Sequence, residues 1–258
     1  MDDLLDLTSR VEATHFWFRG FRRFVAPAVA DVAGNRRDLY LLDCGCGTGH
    51  NLATLLRPYG HAFGFDLTEA GLAHARAAGL RLARADMAAI PFQSRRFDVV
   101  TSFDVMQYVR DDAHVLKEMA RVLKPGGGLV LTAAALDVLR GGHAGTWPEI
   151  RRYSTGRMRS VVEGAGLKIR YLTYLFASLF PAMLAVRAVG RATETSGAGG
   201  AGGVGKAGGA SEDDWEMHVP PAPINAAVTG VLAVEAALSR RIPMPVGSSV
   251  LVVATKPL

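Results

Sequence analysis

The chain has 258 residues, 49% of them hydrophobic, which is enough for one sizeable core with at most a small addition. The net charge of +5 is spread over arginines along the whole sequence, and a biased coding genome explains it as well as an acidic or lipid partner does. The two cysteines, Cys44 and Cys46, stand in one glycine-rich turn, which excludes a disulfide framework and, without clustered histidines, a structural metal site.

The N-terminal part of the chain predicts a helical lid, which we place at residues 1–36. Residues 3–33 look helical, with the aromatic and basic run THFWFRGFRRF near the middle. The first residues, MDDLLDL, are acidic and lack the basic start and the apolar stretch of a secretory signal. We therefore expect a cytoplasmic protein.

Residues 37–173 alternate between short apolar runs and segments with helical spacing. Strands are predicted at 39–43, 61–65, 80–84, 97–101 and 127–132, and helices at 49–57, 69–78 and 111–122. The run KPGGG at 124–128 predicts the end of the last of these helices. Regular alternation of strand and helix predicts an α/β fold in which a parallel sheet carries helices on both faces.

After residue 132 this alternation stops. A helix is predicted at 154–164, a strand at 167–173 and a final strand within residues 248–258, at 248–255. We expect these two strands to be antiparallel and to lie towards one edge of the same sheet.

A long helical excursion, residues 174–247, separates the last two strands. It starts within the uncharged run YLTYLFASLFPAMLAV and contains a flexible glycine- and alanine-rich linker at 197–210. Three prolines, at 220, 221 and 223, delay the next helix until about residue 223. That helix has one apolar face, formed by Ile224, Val228, Val231 and Leu238.

The segment LYLLDCGCGTGH at residues 39–50 joins a predicted strand to a glycine-rich turn. Such a turn presents free backbone N–H groups and a helix N-terminus to a ligand. The glycines follow a G-x-G-x-G pattern, and His50 stands where a dinucleotide-binding turn needs its third glycine. No lysine follows, as it would in a phosphate-binding loop. The turn therefore argues against a nicotinamide oxidoreductase.

Two acidic residues at later strand ends indicate which cofactor fits. Asp66 ends the second strand in FGFDLT, where a carboxylate can accept from both hydroxyls of a ribose. Asp86 follows the third strand, where it can accept from an exocyclic amine, with Met87 against the adenine face. A site with partners for ribose and adenine but no loop for phosphates suits S-adenosylmethionine.

Five segments, in order and spacing, resemble the class I S-adenosylmethionine-dependent methyltransferases. They are LLDCGCGTGHN, FGFDLT, ADMAAIPF, FDVVTSFDVMQYV and VLKPGGGLVLT. More narrowly they are similar to the small-molecule methyltransferase type 11 group, over about residues 37–172. THFWFRGFRR and RRYS resemble segments of one uncharacterised bacterial branch of that group. The resemblance implies a Rossmann-like, doubly wound seven-stranded sheet in the order 3-2-1-4-5-7-6, with the last strand antiparallel.

The resemblance also implies which residues bind S-adenosylmethionine. The turn would line the methionine and ribose side, Asp66 with Leu67 the ribose, and Ser102 with Phe103 would close over the sulfonium. The implied cofactor-binding residues are Asp43, Gly45, Cys46, Gly47, Gly49, Asp66, Leu67, Asp86, Met87, Ser102 and Phe103. For each aspartate the alternative is a helix cap or turn residue.

Methyl transfer from a sulfonium needs a general base only when the acceptor carries a proton that must leave early. The candidates near the expected pocket mouth are His143, His15, Tyr108 and Tyr153. A histidine-containing pair is common in the family where Gln107 and Tyr108 stand here, which weakens a base role at that position. His15 has the alternative of packing in an aromatic cluster over the cofactor.

Aromatic and basic residues in two segments are candidates for substrate binding. In the lid, Trp17 would cover the pocket and Arg19 would meet a carboxylate or phosphate. Before the helix at 154–164, Arg151 and Arg152 would grip an acidic group, next to Tyr153. The alternative in both segments is arginines that are simply solvated.

The acceptor is expected to be a small molecule, lipid-like compound or glycan. Base-specific amino-methylases of this superfamily carry an N/D-P-P-Y/F motif where this chain reads SFDV, so no nucleic acid is expected. The uncharged run at 171–186 fits a packed lid or homodimer helix, or a peripheral contact with the inner face of the membrane through residues 171–189. It is short for a spanning helix and contains Pro181.

Two further functions stay open on the sequence alone. A catalytically silent protein that binds S-adenosylmethionine, acting as a sensor or scaffold, would keep the same five segments. Aminopropyl transfer on the same fold would need acidic residues near the fourth strand, for which Asp104 is the one candidate.

Overall fold

The computed structural model describes residues 2–140, 149–196 and 218–258. Their centre is a seven-stranded sheet with the strand order β3-β2-β1-β4-β5-β7-β6. The strands are β1 Leu39–Cys44, β2 Gly60–Asp66, β3 Arg81–Arg84, β4 Phe97–Phe103, β5 Leu123–Ala134, β6 Lys168–Leu175 and β7 Ser249–Thr255. Within this sheet β7 runs antiparallel to both of its neighbours, β5 and β6. The predicted strand order and the antiparallel last strand are confirmed.

Seven α-helices surround the sheet in the described chain. They are α1 Asp2–Val11, α2 Phe16–Ala33, α3 Glu69–Ala77, α4 Asp112–Val122, α5 Thr155–Gly164, α6 Phe180–Ser196 and α7 Ala222–Ser239. The helix predicted at 49–57 is instead a short π-helical turn, Leu52–Leu56, followed by a 3-10 turn, Arg57–Tyr59.

The single N-terminal helix predicted at 3–33 is divided into α1 and α2. His15 has extended backbone angles, and its ring Nδ1 accepts a hydrogen bond from the Trp17 amide 3.1 Å away. This is the geometry of a helix N-cap, which satisfies one of the free amides of the first turn of α2. Histidine is an uncommon cap, so no residue in this segment indicates a break between two helices.

Strand β5 begins four residues earlier than predicted. Helix α4 does end at Val122, as the KPGGG run predicts, but the chain passes directly into the strand at Leu123. The pairing of β4 with β5 shifts register between Phe97 and Val99, which accommodates the glycines within the strand. A side chain at Gly128 would lie 2.6 Å from Val32 of α2, so the glycine also allows α2 to pack closely.

The sheet is covered on both faces, so its central strands are buried on both sides. Helices α2 and α7 pack over one face, on a cluster that contains Leu41, Val130 and Leu232. Helices α4 and α5 pack over the other, on a cluster that contains Leu42 and Leu129. The order of the strands reverses between β1 and β4, and ligands of such sheets bind at the carboxyl ends beside that point.

Helix α7 is present as predicted, but of its predicted apolar face only Val228 packs against the core, and the other three residues point outward. Ile224, Val231 and Leu238 are 55%, 50% and 50% exposed, whereas Asn225 and Glu235 on the opposite face are buried. Long-range hydrogen bonds fix this rotation, as described below, and the spacing of apolar residues along the helix carries no information about them.

Candidate active site

The glycine-rich turn lies at the carboxyl end of β1 and needs glycine for two reasons. Gly45 and Gly49 have φ angles of 76° and 80°, in the left-handed region that other residues avoid. A side chain would also clash, because an added Cβ would lie 2.6 Å from Val105 at Gly45 and 2.7 Å from Ala75 at Gly49. The turn is therefore held tightly between the segment after β4 and helix α3.

Asp66, at the end of β2, is the best-organised polar group beside this turn. Its Oδ2 accepts from the Gly47 amide at 2.8 Å, and its Oδ1 accepts from the amide and hydroxyl of Thr68 at 2.9 and 2.6 Å. A carboxylate offers about four acceptor sites, and these three bonds leave one, on Oδ2, for a hydroxyl of a ribose. Leu67 next to it is 43% exposed, which leaves an apolar surface beside the carboxylate.

Asp43 is buried beneath the turn rather than presented on its surface. Its Oδ1 accepts from the Thr101 hydroxyl at 2.7 Å. Burial raises the pKa of Asp43 to about 7; the hydrogen bond from Thr101 opposes that shift, and the nearby charge of Asp66 adds to it. Asp43 thus supports the turn from below, joining β1 to β4.

Asp86 and Met87 follow β3, as predicted, and they differ in burial. Asp86 is exposed, and its Oδ1 caps a short 3-10 turn by accepting from the Ala88 amide at 2.8 Å. Met87 is 8% exposed and packs in the same core cluster as Phe65 and Met106. Both the cap role and an adenine contact remain open to Asp86, since a carboxylate has further acceptor sites.

The residues predicted near the sulfonium also connect the sheet to the lid. The fully buried Ser102 hydroxyl donates to the Cys44 carbonyl at 2.9 Å, which ties β4 to β1. The ring of Phe103 meets Phe21 of α2 edge to face, with 5.5 Å between centroids. Cys46 is almost fully buried, and burial together with the charges of Asp43 and Asp66 raises its pKa, which keeps the thiol neutral.

Sequence reasoning missed Glu12, which reaches the turn from the end of α1. The Thr48 hydroxyl donates to the Glu12 carboxylate, 2.8 and 2.9 Å from its two oxygens. Burial raises the pKa of Glu12, and the Thr48 hydrogen bond partly offsets this. Leu5 of α1 approaches the same turn, 3.5 Å from where a Cβ of Gly47 would lie. No motif marks Glu12, because its contact spans 36 residues of sequence.

A second polar cluster lies just after β4 and contains Asp104, which the sequence had suggested only for aminopropyl transfer. Asp104 has a φ of 53°, and its Oδ1 accepts from the Thr132 hydroxyl at 3.0 Å. Burial, with the negative charge of Glu149, raises the pKa of Asp104 to about 6 against the opposing effects of Thr132 and Arg152. Val105, the next residue, contacts the glycine turn, so this cluster adjoins the cofactor side.

Arg152 and Tyr108 belong to this cluster. Arg152 forms a two-point ion pair with Glu149, at 2.7 and 2.9 Å, and donates to the Ala135 carbonyl at 3.1 Å. Tyr108 is half-buried, and burial followed by the charge of Glu149 raises its pKa. At neutral pH its hydroxyl is therefore a neutral hydrogen-bonding group and a poor proton acceptor.

The structure assigns other roles to Arg151 and Tyr153, which were predicted to bind substrate. Tyr153 is fully buried, and its hydroxyl donates to Asp112 at 3.0 Å. Arg151 and Arg157 pair with the same carboxylate at 2.8 and 3.1 Å. Burial acts to raise the pKa of Asp112, but these partners outweigh it and the pKa is lowered. Both residues therefore take part in an internal network around Asp112, and a substrate role for them stays a prediction.

The predicted roles of His15 and Trp17 also need correction. Both ring nitrogens of His15 are engaged, Nδ1 by the Trp17 amide and Nε2 by the His218 carbonyl at 3.1 Å. Burial lowers its pKa, so it is a neutral cap without a free nitrogen for catalysis. Trp17 stacks on Phe176 with 4.1 Å between centroids, which directs it to the core rather than over the turn. Arg19 is exposed, and His143 lies outside the described residues.

Comparisons with known proteins find similarity to methyltransferases over the segment that carries the glycine turn and Asp66. Residues 42–131 match the family Methyltransf_11, a methyltransferase domain. A curated relative from Mycolicibacterium smegmatis, named "Probable S-adenosylmethionine-dependent methyltransferase", is 29% identical over 159 residues, covering 60% of each chain. The ubiquinone biosynthesis O-methyltransferase of Hahella chejuensis is 31% identical over 144 residues, covering 49% of this chain and 60% of that one. The chain thus spans about three fifths of the length of these relatives.

One solved structure shows the same fold over the whole chain. It is the complex between the Haloferax volcanii Trm112 methyltransferase activator and a methyltransferase, which matches with a TM-score of 0.64 and 20% identity, covering 100% of this chain and 96% of that one. The sheet order is that of the Rossmann-like fold expected for class I S-adenosylmethionine-dependent methyltransferases. Residues 42–131, which contain the glycine turn and Asp66, are similar to the methyltransferase domain family Methyltransf_11, and the cofactor that this similarity implies is S-adenosylmethionine.

Proposed function

We propose that the protein transfers the methyl group of S-adenosylmethionine to an oxygen or nitrogen of a small-molecule, lipid-like or glycan acceptor. The observation that carries this proposal is the Asp66 carboxylate, which the Gly47 amide and Thr68 hold in place beside an open apolar surface at Leu67. A fixed acceptor of this kind at the end of β2 suits ribose hydroxyls. We place the reaction in the cytoplasm, with a peripheral contact at the inner face of the membrane.

The cofactor supplies an electrophilic methyl group, and the chain has to align the acceptor with it and exclude water. The geometry supports both tasks. The glycine turn and Asp66 hold one side, while α1 brings Leu5 and Glu12 over the turn. Because positive charge is lost during transfer, no strong oxyanion-type stabilisation is needed.

We propose Asp104 as the group that accepts a proton from the acceptor. Its raised pKa of about 6 leaves it ionised at neutral pH yet more basic than an ordinary aspartate. Asp104 directly follows β4 with a positive φ angle, and the next residue, Val105, contacts the glycine turn. Arg152 and Glu149 fix the opposite side of the cluster, so they would orient a polar group of the acceptor.

The relatives support an oxygen acceptor. The Hahella chejuensis relative is named for O-methylation in ubiquinone biosynthesis, and a Herminiimonas arsenicoxydans relative that is 33% identical over 150 residues is named as a malonyl-[acyl-carrier protein] O-methyltransferase. An apolar compound with one acidic hydroxyl or carboxyl would suit the combination of the apolar side chains of Phe103 and Val105 with the polar Asp104 cluster beside them. We therefore favour a lipid-like acceptor over a glycan.

The test is methyl transfer from labelled S-adenosylmethionine to a panel of lipid-like phenols and carboxylic acids, glycans and amines. We expect labelled product from a lipid-like oxygen acceptor, and loss of product in Asp66→Ala. Asp38→Ala is the matched control, because Asp38 is exposed beside the opposite, amino end of β1. Binding of S-adenosylhomocysteine without any turnover across the panel would instead indicate the silent sensor or scaffold.

A further inference from the structure

Helix α7 exposes an apolar stripe to solvent, and its buried side carries both apolar and polar residues, Leu232 and Ala236 together with Asn225 and Glu235. Four branched side chains, Ile224, Val231, Val234 and Leu238, are between 50% and 62% exposed, and Ile242 just beyond the helix is 65% exposed. The helix has a mean hydropathy of 1.4, and one third of it is buried in the protein. An uninterrupted apolar stripe of this kind is unusual on a solvated surface and marks an interaction site.

Hydrogen bonds on the buried side fix this orientation. The Asn225 side chain accepts from the Phe16 amide at 2.7 Å and donates to the Thr14 carbonyl at 2.9 Å. The Glu235 carboxylate accepts from the amides of Ala177 and Ser178 at 2.7 and 2.9 Å, and from the Ser178 hydroxyl. Rotating the apolar stripe inward would break all of these bonds in a buried setting.

The same bonds argue against α7 as a membrane-spanning helix. By length and composition Ala222–Ser239 is the one helix in the described chain that could cross a membrane, a test that core helices of soluble proteins also pass. Crossing would strip Asn225 and Glu235 of their partners and bury a carboxylate in hydrocarbon. A helix that is anchored on one side and apolar on the other instead suits the surface of a membrane.

The charges around α7 indicate which kind of surface it meets. Its outward face carries no charged residue, since Glu235 is turned inward. Arg240 and Arg241 follow the helix immediately; both are exposed, and neither guanidinium has an ion pair within the described part of the chain. An uncharged stripe that ends in two free guanidinium groups is complementary to acyl chains beneath anionic headgroups.

We propose that α7, together with Arg240 and Arg241, docks the protein on an anionic lipid bilayer. The stripe from Ile224 to Leu238 enters the boundary between headgroups and acyl chains, and the two arginines bind lipid phosphates. This places a membrane contact on α7, outside the segment 171–189 where it was predicted. In that segment Thr173, Tyr174 and Leu175 are buried in strand β6, whereas Val186 and Val189 of α6 are 45% and 64% exposed.

The proposed surface is also connected to the cofactor site. Asn225, in the first turn of α7, forms hydrogen bonds with Thr14 and with Phe16, the first residue of α2. These residues follow closely after Glu12, which contacts the glycine turn. Docking through α7 therefore brings the lid segment close to the bilayer, where a lipid-like acceptor would be available. The docking itself needs no cofactor and does not depend on methyl transfer.

A second copy of the chain is the other partner that could cover this apolar stripe. Stable dimers bury about 1,200–2,000 Å² with some 20–30 residues on each side. The stripe offers five apolar side chains on and just after one helix, which falls short of that size on its own. The area thus favours a lipid surface, and the experiment below measures both.

The test is co-sedimentation of the full chain with vesicles of phosphatidylcholine alone and with phosphatidylglycerol added. We expect binding to the anionic vesicles and little to the neutral ones. Val231→Gln with Val234→Gln should lower the partition coefficient by about tenfold or more, because two apolar side chains lose their burial. Arg240→Gln with Arg241→Gln should lower it by roughly tenfold, and added salt should reduce this contribution.

The matched control is Arg110→Gln with Arg159→Gln, which removes the same charge near α4 and α5 on the opposite face of the sheet. It should leave binding within about twofold, and thermal unfolding of all variants should match the parent. Equal loss in the control pair, or no binding of the parent to anionic vesicles, would overturn the proposal. So would a dimer in sedimentation equilibrium that Val231→Gln with Val234→Gln dissociates, because the stripe would then belong to a second copy.

Discussion

The glycine turn and helix α7 are both held by buried polar groups, but over very different distances along the chain. In the turn, Asp66 binds Thr68 two residues away and Gly47 nineteen residues away. In α7, Asn225 binds Phe16 across 209 residues and Glu235 binds Ser178 across 57. The glycine turn after β1 and Asp66 at the end of β2 lie where the sequence predicted them. The sequence contains no indication of which way α7 faces. Short-range geometry is encoded in residue type, and long-range pairing is not.

The largest effect is expected at the cluster beside the turn. Asp104→Asn should lower kcat by about 100-fold or more, because a general base typically contributes 10²–10⁴-fold. With a pKa of about 6, Asp104 is protonated and inactive in acid, so the parent's rate should rise with pH around 6 and then level off. Rates across pH 5–8 check this, in the variant and in Asp38→Asn as the control.

That result would separate a catalytic role from a structural one. If Asp104 has only a structural role, Asp104→Asn should change the stability of the protein, and the rise of the rate around pH 6 should persist. A base role requires that the rise disappear with the carboxylate.

At α7 the expected effect is on stability. Glu235→Ala would leave the amides of Ala177 and Ser178 without partners in a buried setting. We expect the free energy of unfolding to fall by about 1–3 kcal/mol. Glu235→Gln keeps one acceptor oxygen and should lose less. Urea unfolding measures both, with Glu163→Ala on the exposed face of α5 as the control, expected within about 0.5 kcal/mol of the parent. Equal stability of Glu235→Ala and Glu163→Ala would remove the argument that long-range bonds orient α7.

Beneath the turn, Asp43 gives a pH signature. Its folded pKa of about 7 lies above the ordinary value of 3.8, so between these values the folded state binds the extra proton. The favourable contribution of the protonated form is therefore lost as pH rises through 7. Asp43→Asn should gain stability relative to the parent by roughly 0.5–1 kcal/mol per pH unit across pH 4–7. Urea unfolding at several pH values checks the slope; a gain that falls with rising pH would contradict it.

The smallest effect concerns the contact between α1 and the turn. Glu12→Gln should weaken S-adenosylhomocysteine binding by about three- to tenfold, because the Thr48 hydroxyl loses a charged acceptor. Thr48→Ala should have a similar effect, and the double variant should add little, since both remove one interaction. Asp6→Asn, which breaks the more exposed pair with His74, serves as the control. Additive losses in the double variant would mean that the contact does not act as a unit.

Much of the fold was predictable because its signals are local. The strands alternate with helices in a regular pattern, and Gly45 and Gly49 occupy positions that only glycine tolerates. Asp66 was placed correctly because a strand end fixes its surroundings. The N-cap at His15 and the early start of β5 escaped prediction, since histidine and KPGGG are ambiguous signals at those positions.

The rest of the site depends on residues that meet only after folding. Glu12 reaches Thr48 across 36 residues, and Glu149 adjusts the pKa of Asp104 from a segment after β5. Arg151 and Tyr153 were predicted as substrate ligands because they lie just before a helix, yet in the folded protein both contact Asp112. None of these pairings has a characteristic spacing that a sequence pattern could reveal.

The most direct measurement of the central claim is calorimetric titration of the protein with S-adenosylhomocysteine, with Asp66→Ala and Asp38→Ala alongside and NAD as a second ligand. The turn and Asp66 predict micromolar binding of S-adenosylhomocysteine, on the order of −8 kcal/mol, a loss of about 100-fold in Asp66→Ala, and no change in Asp38→Ala. NAD should not bind, because His50 replaces the third glycine of a dinucleotide turn. Binding of NAD, or equal affinity for S-adenosylhomocysteine in Asp66→Ala and the parent, would contradict the account.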